Sequence, residues 1–76
     1  MPQKAIAEYA EPSIMYDKWI RSLLEESQQK LDGNGRIIMR MSGTEPKVRV
    51  MVESEDMSLV DAILAEFKKY INSVAN

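Results

Sequence analysis

Apolar and polar positions alternate most cleanly in the middle of the chain. Arg36 to Ser42 (RIIMRMS) and Lys47 to Glu53 (KVRVMVE) each change character at every second residue, the period of a strand whose side chains point to two faces in turn. Between them lie Gly43-Thr44-Glu45-Pro46, and a short link bearing Gly and Pro between two alternating runs predicts a β-hairpin. Closing the hairpin over those four residues sets Ser42 opposite Lys47, Met41 opposite Val48, Arg40 opposite Arg49, Met39 opposite Val50, Ile37 opposite Val52 and Arg36 opposite Glu53. One face then carries only Ile37, Met39, Met41, Val48, Val50 and Val52, and has to be covered by other elements. The other face carries Arg36, Arg40, Ser42, Lys47, Arg49 and Glu53, diluted by Ile38 and Met51.

The flanking segments supply the cover. Lys4 to Ala10 (KAIAEYA) alternates loosely, with Ala5, Ala7 and Tyr9 on one side, and reads as a further strand. Glu11-Pro12-Ser13 interrupts it, and Ser13 is a candidate cap for a helix running to about Leu31. Trp19, Ile20, Leu23, Leu24 and Leu31 recur at helical spacing on that helix, with Met15 or Tyr16 extending the face. Trp19 is therefore expected in the core, and Gln28, Gln29 and Lys30 on a solvated face. Asp32-Gly33-Asn34-Gly35 ends the helix, with Gly33 or Asn34 taking the left-handed conformation. Asp56 or Ser58 opens the last helix, whose Val60, Ile63, Leu64, Phe67, Ile71 and Val74 share one face while Glu66, Lys68 and Lys69 lie opposite. The order β-α-β-β-α predicts an α+β domain, a small antiparallel or mixed β-sheet with two helices packed on one face.

Composition narrows what such a domain can do. With 76 residues it is one domain with a modest core and little stability to spare. The chain has neither cysteine nor histidine, which excludes a disulfide framework, a zinc-finger ligand set, a thiol nucleophile and the commonest general base. A net charge of −2 gives no global field that draws it to nucleic acid or acidic lipid. No apolar run approaches the roughly 20 residues of a membrane span, and the segment after Met1 has no apolar stretch like that of a signal peptide. Neither nucleic acid nor membrane is expected as a partner.

The charged face of the hairpin carries the candidate chemistry. Arg36 opposite Glu53 is a favourable pair, whereas Arg40 opposite Arg49 places like charges directly across two strands, which is destabilising. Lys47 sits next to them, and three cations beside one turn favour an anion. The turn adds the hydroxyls of Ser42 and Thr44, and Gly43 permits close backbone approach and unusual dihedrals. Consecutive turn amides form anion-binding nests, and arginine binds phosphate in a bidentate fork. The same residues also read as an ordinary turn beside a solvated strand face. Spacing alone leaves both readings open.

The run Arg40-Met41-Ser42-Gly43-Thr44-Glu45-Pro46-Lys47-Val48-Arg49-Val50-Met51-Val52-Glu53 resembles the C-terminal signature of the α-D-phosphohexomutase superfamily. That pattern is an arginine, one residue, S-G-T-E-P, two residues and a second arginine. The V-M-V-E sequel looks most like the phosphoglucosamine mutase branch, and Pro2-Gln3 is similar to the segment that enters this domain. Met41 stands where that branch usually has proline, and Lys47 where it usually has an aliphatic residue. S-G-T-E-P-K also occurs in some phosphomannomutases and phosphoglucomutases, the alternative branch.

The resemblance implies the TATA-box-binding-protein-like C-terminal domain, the fourth of four, over residues 1–76. In the full enzyme, a phosphoserine in the first domain exchanges a phosphoryl group with the sugar, magnesium sits in the second, and the third reads the sugar hydroxyls. The fourth grips the non-reacting phosphate. The implied reaction is a cytoplasmic isomerisation of glucosamine 6-phosphate and glucosamine 1-phosphate through a 1,6-bisphosphate. Carried over residue by residue, Arg40, Ser42, Gly43 and Thr44 match the phosphate contacts and Arg49 the second arginine. Glu45 and Pro46 shape the loop, with the Glu45 carboxylate turned away or paired with a cation. No catalytic or metal-binding residue is expected here, and the partners would be the phosphosugar and the enzyme's other domains. Alone, such a domain would be a fragment, with Met1 an added start, that folds without catalysing.

Other classes fit less well. RNA-binding sheets stack bases on exposed aromatics, and this hairpin has none. A self-contained enzyme would need a metal motif that Asp17, Asp32, Asp56 and Asp61 do not form, or a base for Ser42. A ligand-free interaction domain predicts no response to anions.

Overall fold

A computed structural model describes residues 2–75; Met1 and Asn76 lie outside them. The chain forms β1 (Gln3–Tyr9), a 3-10 turn (Pro12–Tyr16), α1 (Lys18–Leu31), β2 (Gly35–Met41), β3 (Lys47–Ser54) and α2 (Met57–Ala75). The sheet is fully antiparallel in the order β1-β3-β2. The hairpin has the register its alternation predicts, with Arg40 opposite Arg49, Met41 opposite Val48 and Arg36 opposite Glu53. β1 pairs along the other edge of β3, setting Ala7 opposite Arg49 and Tyr9 opposite Lys47.

β3 is the central strand, and its two faces divide the labour. Val48, Val50 and Val52 are fully buried and join Ile63, Phe67 and Ile71 of α2 and Ile20 and Leu31 of α1 in one core. β-branched residues at every second position suit a pleated strand packed on one face. Helix α2 packs over β1 and β3, and α1 over β2. Ile37, Met39 and Met41 fill the margin of that core as half-buried side chains.

The first helix starts later than Ser13. Pro12 to Tyr16 is a 3-10 turn, and Asp17 caps α1 by accepting the amides of Trp19 at 2.9 Å and Ile20 at 3.0 Å. A carboxylate satisfying two orphan amides is a stronger cap than Ser13 offers. Asp17 also accepts the Tyr70 hydroxyl of α2 at 2.8 Å. The Ile20 amide foremost, and then the Tyr70 hydroxyl, hold the Asp17 carboxyl below its ordinary value.

The inward face of α1 corrects the expected core. Ile20 and Leu31 are buried and Leu23 and Leu24 half-buried, but Trp19, one residue or about 100° away, is 68% exposed. Of the two candidates for extending the face, Met15 is half-buried against the core and Tyr16 is 88% exposed, while Ile14 is buried near the helix entry. Val74, expected on the core face of α2, is 47% exposed.

The connections are short and chemically explained. Asp32 and Gly33 both take left-handed backbone, with φ of 44° and 78°, and the Asn34 amide closes back on the Leu31 carbonyl. Gln28, on the solvent side of α1, reaches the outer edge of β2, donating to the Gly35 carbonyl and accepting the Ile37 amide. Its side chain thus occupies backbone groups that an edge strand would otherwise expose. Asp56 opens α2 as expected, its carboxylate accepting the Leu59 amide at 3.1 Å.

Candidate functional site

With both helices on one face, the other face of the sheet is open. Across it run Gln3, Ala5, Ala7 and Tyr9 of β1, Lys47, Arg49, Met51 and Glu53 of β3, and Arg36, Ile38 and Arg40 of β2. At the hairpin end lies a depression of about 380 Å³ lined by Ala7, Arg40, Met41, Ser42, Gly43, Lys47 and Arg49. Four of the five residues expected to contact phosphate, Arg40, Ser42, Gly43 and Arg49, therefore border one space. Thr44 is exposed in the loop beside it and does not line it.

The charges of the hairpin are unevenly satisfied. Arg36 pairs with Glu53 at 3.4 Å and Lys47 with Glu45 at 3.6 Å. Arg40 and Arg49 face each other across the strands, and neither makes an ion pair or hydrogen bond with another described residue. Two forked cations side by side without a carboxylate between them form an electrostatically unfavourable arrangement that a bound anion would relieve. A similar-sized depression beyond Tyr9 has Glu11 and Asp17 as its charged lining, a setting that disfavours anions.

The loop keeps part of its donor capacity. The Ser42 amide is committed to the Lys47 carbonyl at 2.8 Å, and the Lys47 amide to the Glu45 carbonyl at 2.7 Å. The Pro46 carbonyl accepts the Ala10 amide at 2.8 Å, which ties the loop to the end of β1. The amides of Gly43, Thr44 and Glu45, and the hydroxyls of Ser42 and Thr44, bond to no described residue. Gly43 makes no use of the unusual dihedrals open to glycine at positive φ, since among the described glycines only Gly33 has positive φ. A Cβ at Gly43 would meet nothing within 4 Å, so packing within the domain does not require glycine there. Of the two placements expected for the Glu45 carboxylate, turned away or paired with a cation, the structure has the pairing, with Lys47.

Residues 3–69 match the family profile described as phosphoglucomutase/phosphomannomutase, C-terminal domain. The chain belongs to that family. Among curated proteins, this phosphohexomutase C-terminal domain is 43% identical over 56 residues to the phosphoglucosamine mutase of Phenylobacterium zucineum, a match covering 74% of the chain and 12% of that relative. It is 39% identical over 57 residues to the phosphoglucosamine mutase of Brucella ovis and 37% over 57 residues to that of Alcanivorax borkumensis. Each of these two matches covers 75% of the chain and 13% of the relative. The matched segment thus spans about an eighth of the length of the curated relatives.

Ala7 of β1, which lines the depression, escaped the reading of the sequence, as did Tyr9 near it on the open face. Their alternation was visible, but only the strand order puts β1 beside the charged face of β3. Among the described residues, no group of three or more His, Cys, Asp or Glu side chains is placed to hold a metal ion. Among the same described residues, no helix is long and apolar enough to cross a membrane.

Proposed function

We propose that the hairpin end of this domain grips the non-reacting phosphate of a phosphosugar, in a mutase that interconverts glucosamine 6-phosphate and glucosamine 1-phosphate. The observation that carries this reading is the unpaired Arg40–Arg49 couple sharing one depression with Ser42 and Gly43. A phosphate dianion there would accept from both guanidinium forks, from the Ser42 hydroxyl and from the free amides of Gly43 and Thr44. Charge-assisted bonds of this kind are short and about twice as strong as neutral ones. Thr44 would have to contribute from the rim.

The mechanism needs only binding from this domain. Its contacts lie remote from the reacting atoms, and binding energy gathered there can orient the sugar and help close a cleft against water. A cradle that reads charge and shape accepts either end of a bisphosphate, so an intermediate could turn over without leaving the enzyme. The magnesium ion of such a reaction does not fit the residues here, and we assign it, like the phosphorylated serine and the sugar-reading groups, to other parts of the protein. The same cradle would serve a phosphomannomutase or phosphoglucomutase equally. The names of the relatives favour glucosamine phosphates, and a cytoplasmic location goes with that substrate.

The test is a chemical-shift titration with inorganic phosphate and with glucosamine 6-phosphate. Both are expected to move the Ser42, Gly43 and Thr44 amides with a Kd on the order of millimolar. Arg40→Ala is expected to remove the response and leave the dispersion of the spectrum intact. Shifts confined to the helices, or a response indifferent to Arg40→Ala, would overturn the reading.

A further inference from the structure

We propose that Lys47 is a third cationic ligand of the phosphoryl group, seated on Tyr9 and occupied by Glu45 until the anion arrives. This rests on the phosphate reading and adds to it a residue outside the arginine and S-G-T core of the cradle.

The placement is specific. Lys47 lies opposite Tyr9 in the β1–β3 register, and its ammonium sits 4.7 Å from the centre of the Tyr9 ring. That distance is within the range of a cation–π contact. Packing against the ring leaves its side chain 32% exposed, against 52% for Lys4 and 50% for Lys30, the other ion-paired lysines. Lys47 is therefore the most closely held of the three and lines the same depression as Arg40 and Arg49.

Its tie to Glu45 is weak by comparison. The separation is 3.6 Å and the carboxylate is 54% exposed on the loop, beyond ordinary hydrogen-bond length and in the class of surface pairs that contribute little. A dianion entering the depression would repel Glu45 and attract Lys47. The carboxylate would swing into solvent, and the ammonium, already aimed by the ring, would turn to the phosphate. Glu45 thus acts as a competitor for the cation, keeping Lys47 neutralised while the site is empty and yielding to the stronger anion.

The experiment is a double-mutant cycle read by phosphate titration, with Arg40→Ala and Lys69→Met as references. Lys47→Met keeps an apolar stem on Tyr9 and is expected to weaken phosphate binding about threefold to tenfold, the size of one partly exposed charge-assisted contact. Glu45→Gln is expected to tighten it about twofold, and to give no gain in the Lys47→Met background. Lys69, exposed on the far side of α2, reports the effect of simply removing a charge and is expected to change Kd by less than about 1.5-fold. The Lys47 ε-methylene signals should shift on phosphate addition as the ammonium leaves its free-state position over the ring. If wild type responds through the loop and Arg40→Ala does not, while Lys47→Met binds as wild type or Lys69→Met weakens binding as much, the Lys47 proposal falls and the phosphate reading stands. A Glu45→Gln gain that persists without Lys47 also defeats it. No loop response in wild type removes both.

Discussion

Arg40→Thr should make the free domain more stable and the phosphate-loaded domain less stable, and this reversal follows from the geometry. Arg40 and Arg49 are direct cross-strand partners, so their Cβ atoms stand about 5 Å apart, and like charges so placed cost roughly 0.2–1 kcal/mol. Coulomb's law in water gives a consistent figure of about 0.6 kcal/mol for guanidinium centres about 7 Å apart. Arg40 is exposed on an edge strand, where threonine suits the backbone and little packing is lost. In chloride buffer near about 0.03 M ionic strength, the lowest that the phosphate arm allows and one where the Debye length is still above about 10 Å, the variant should gain about 0.5 kcal/mol. With phosphate at about ten times its Kd, wild type gains about 1.4 kcal/mol by mass action, and the variant, having lost a principal ligand, gains almost nothing. The order then inverts by about 0.9 kcal/mol. For a domain of this size the wild-type gain is a rise in Tm of about 6–10 °C. Urea melts followed by circular dichroism, with and without phosphate at matched ionic strength, read both halves. A variant less stable than wild type in chloride would show that the pair is not repulsive. A variant that keeps the phosphate gain would show that Arg40 does not hold the anion.

Two further outcomes test the scaffold. Asp17→Ala should cost about 1 kcal/mol near neutral pH by removing the cap of α1. Because the folded carboxyl titrates below its unfolded value of about 3.9, that contribution is present above pH 4 and lost as pH falls through the lowered folded value. The gap between variant and wild type in urea melts should therefore close below about pH 4. A gap unchanged down to pH 2 would refute the account. Gly35→Ala should destabilise by about 1–3 kcal/mol, since the added Cβ would overlap the Glu53 carbonyl oxygen and crowd the Ser54 Cβ. A urea midpoint equal to that of wild type would refute the close approach.

What the sequence disclosed tracks how local the determining forces are. The hairpin register, the apolar face of β3 and the charged face were all legible, because a period of two and a four-residue link leave few alternatives. The core face of α2 was legible through Phe67 and Ile71, and failed only at Val74 near its end, where cover from the sheet runs out. Helix α1 was misread for a physical reason. Its entry is decided by competition between Ser13 and Asp17 as caps, and Asp17 wins with two amides and a tertiary partner, Tyr70, that no local pattern reveals. Trp19, one step around the helix from the buried Ile20, stays outside the core. A buried Ser27 on the inward face also weakened the apolar stripe that would have set the phase correctly. The seating of Lys47 on Tyr9 joins residues 38 positions apart and depends wholly on strand order.

The central strand explains why so short a chain can combine a core with a charged site. Each even-numbered residue of β3 from Val48 to Val52 is fully buried, and each odd-numbered one from Lys47 to Glu53 faces the open side. Core packing and the charged side chains are thus interleaved in one segment but point in opposite directions, so changes at Arg49 leave the valine layer in place. The coupling between them is register. A slip of one residue would carry Arg49 into the core and expose the valines, a cost far above the marginal stability of a domain of this length. The hydrophobic layer therefore fixes not only the fold but the opposition of Arg40 and Arg49, and it holds two like charges in an arrangement that their own repulsion would otherwise disperse.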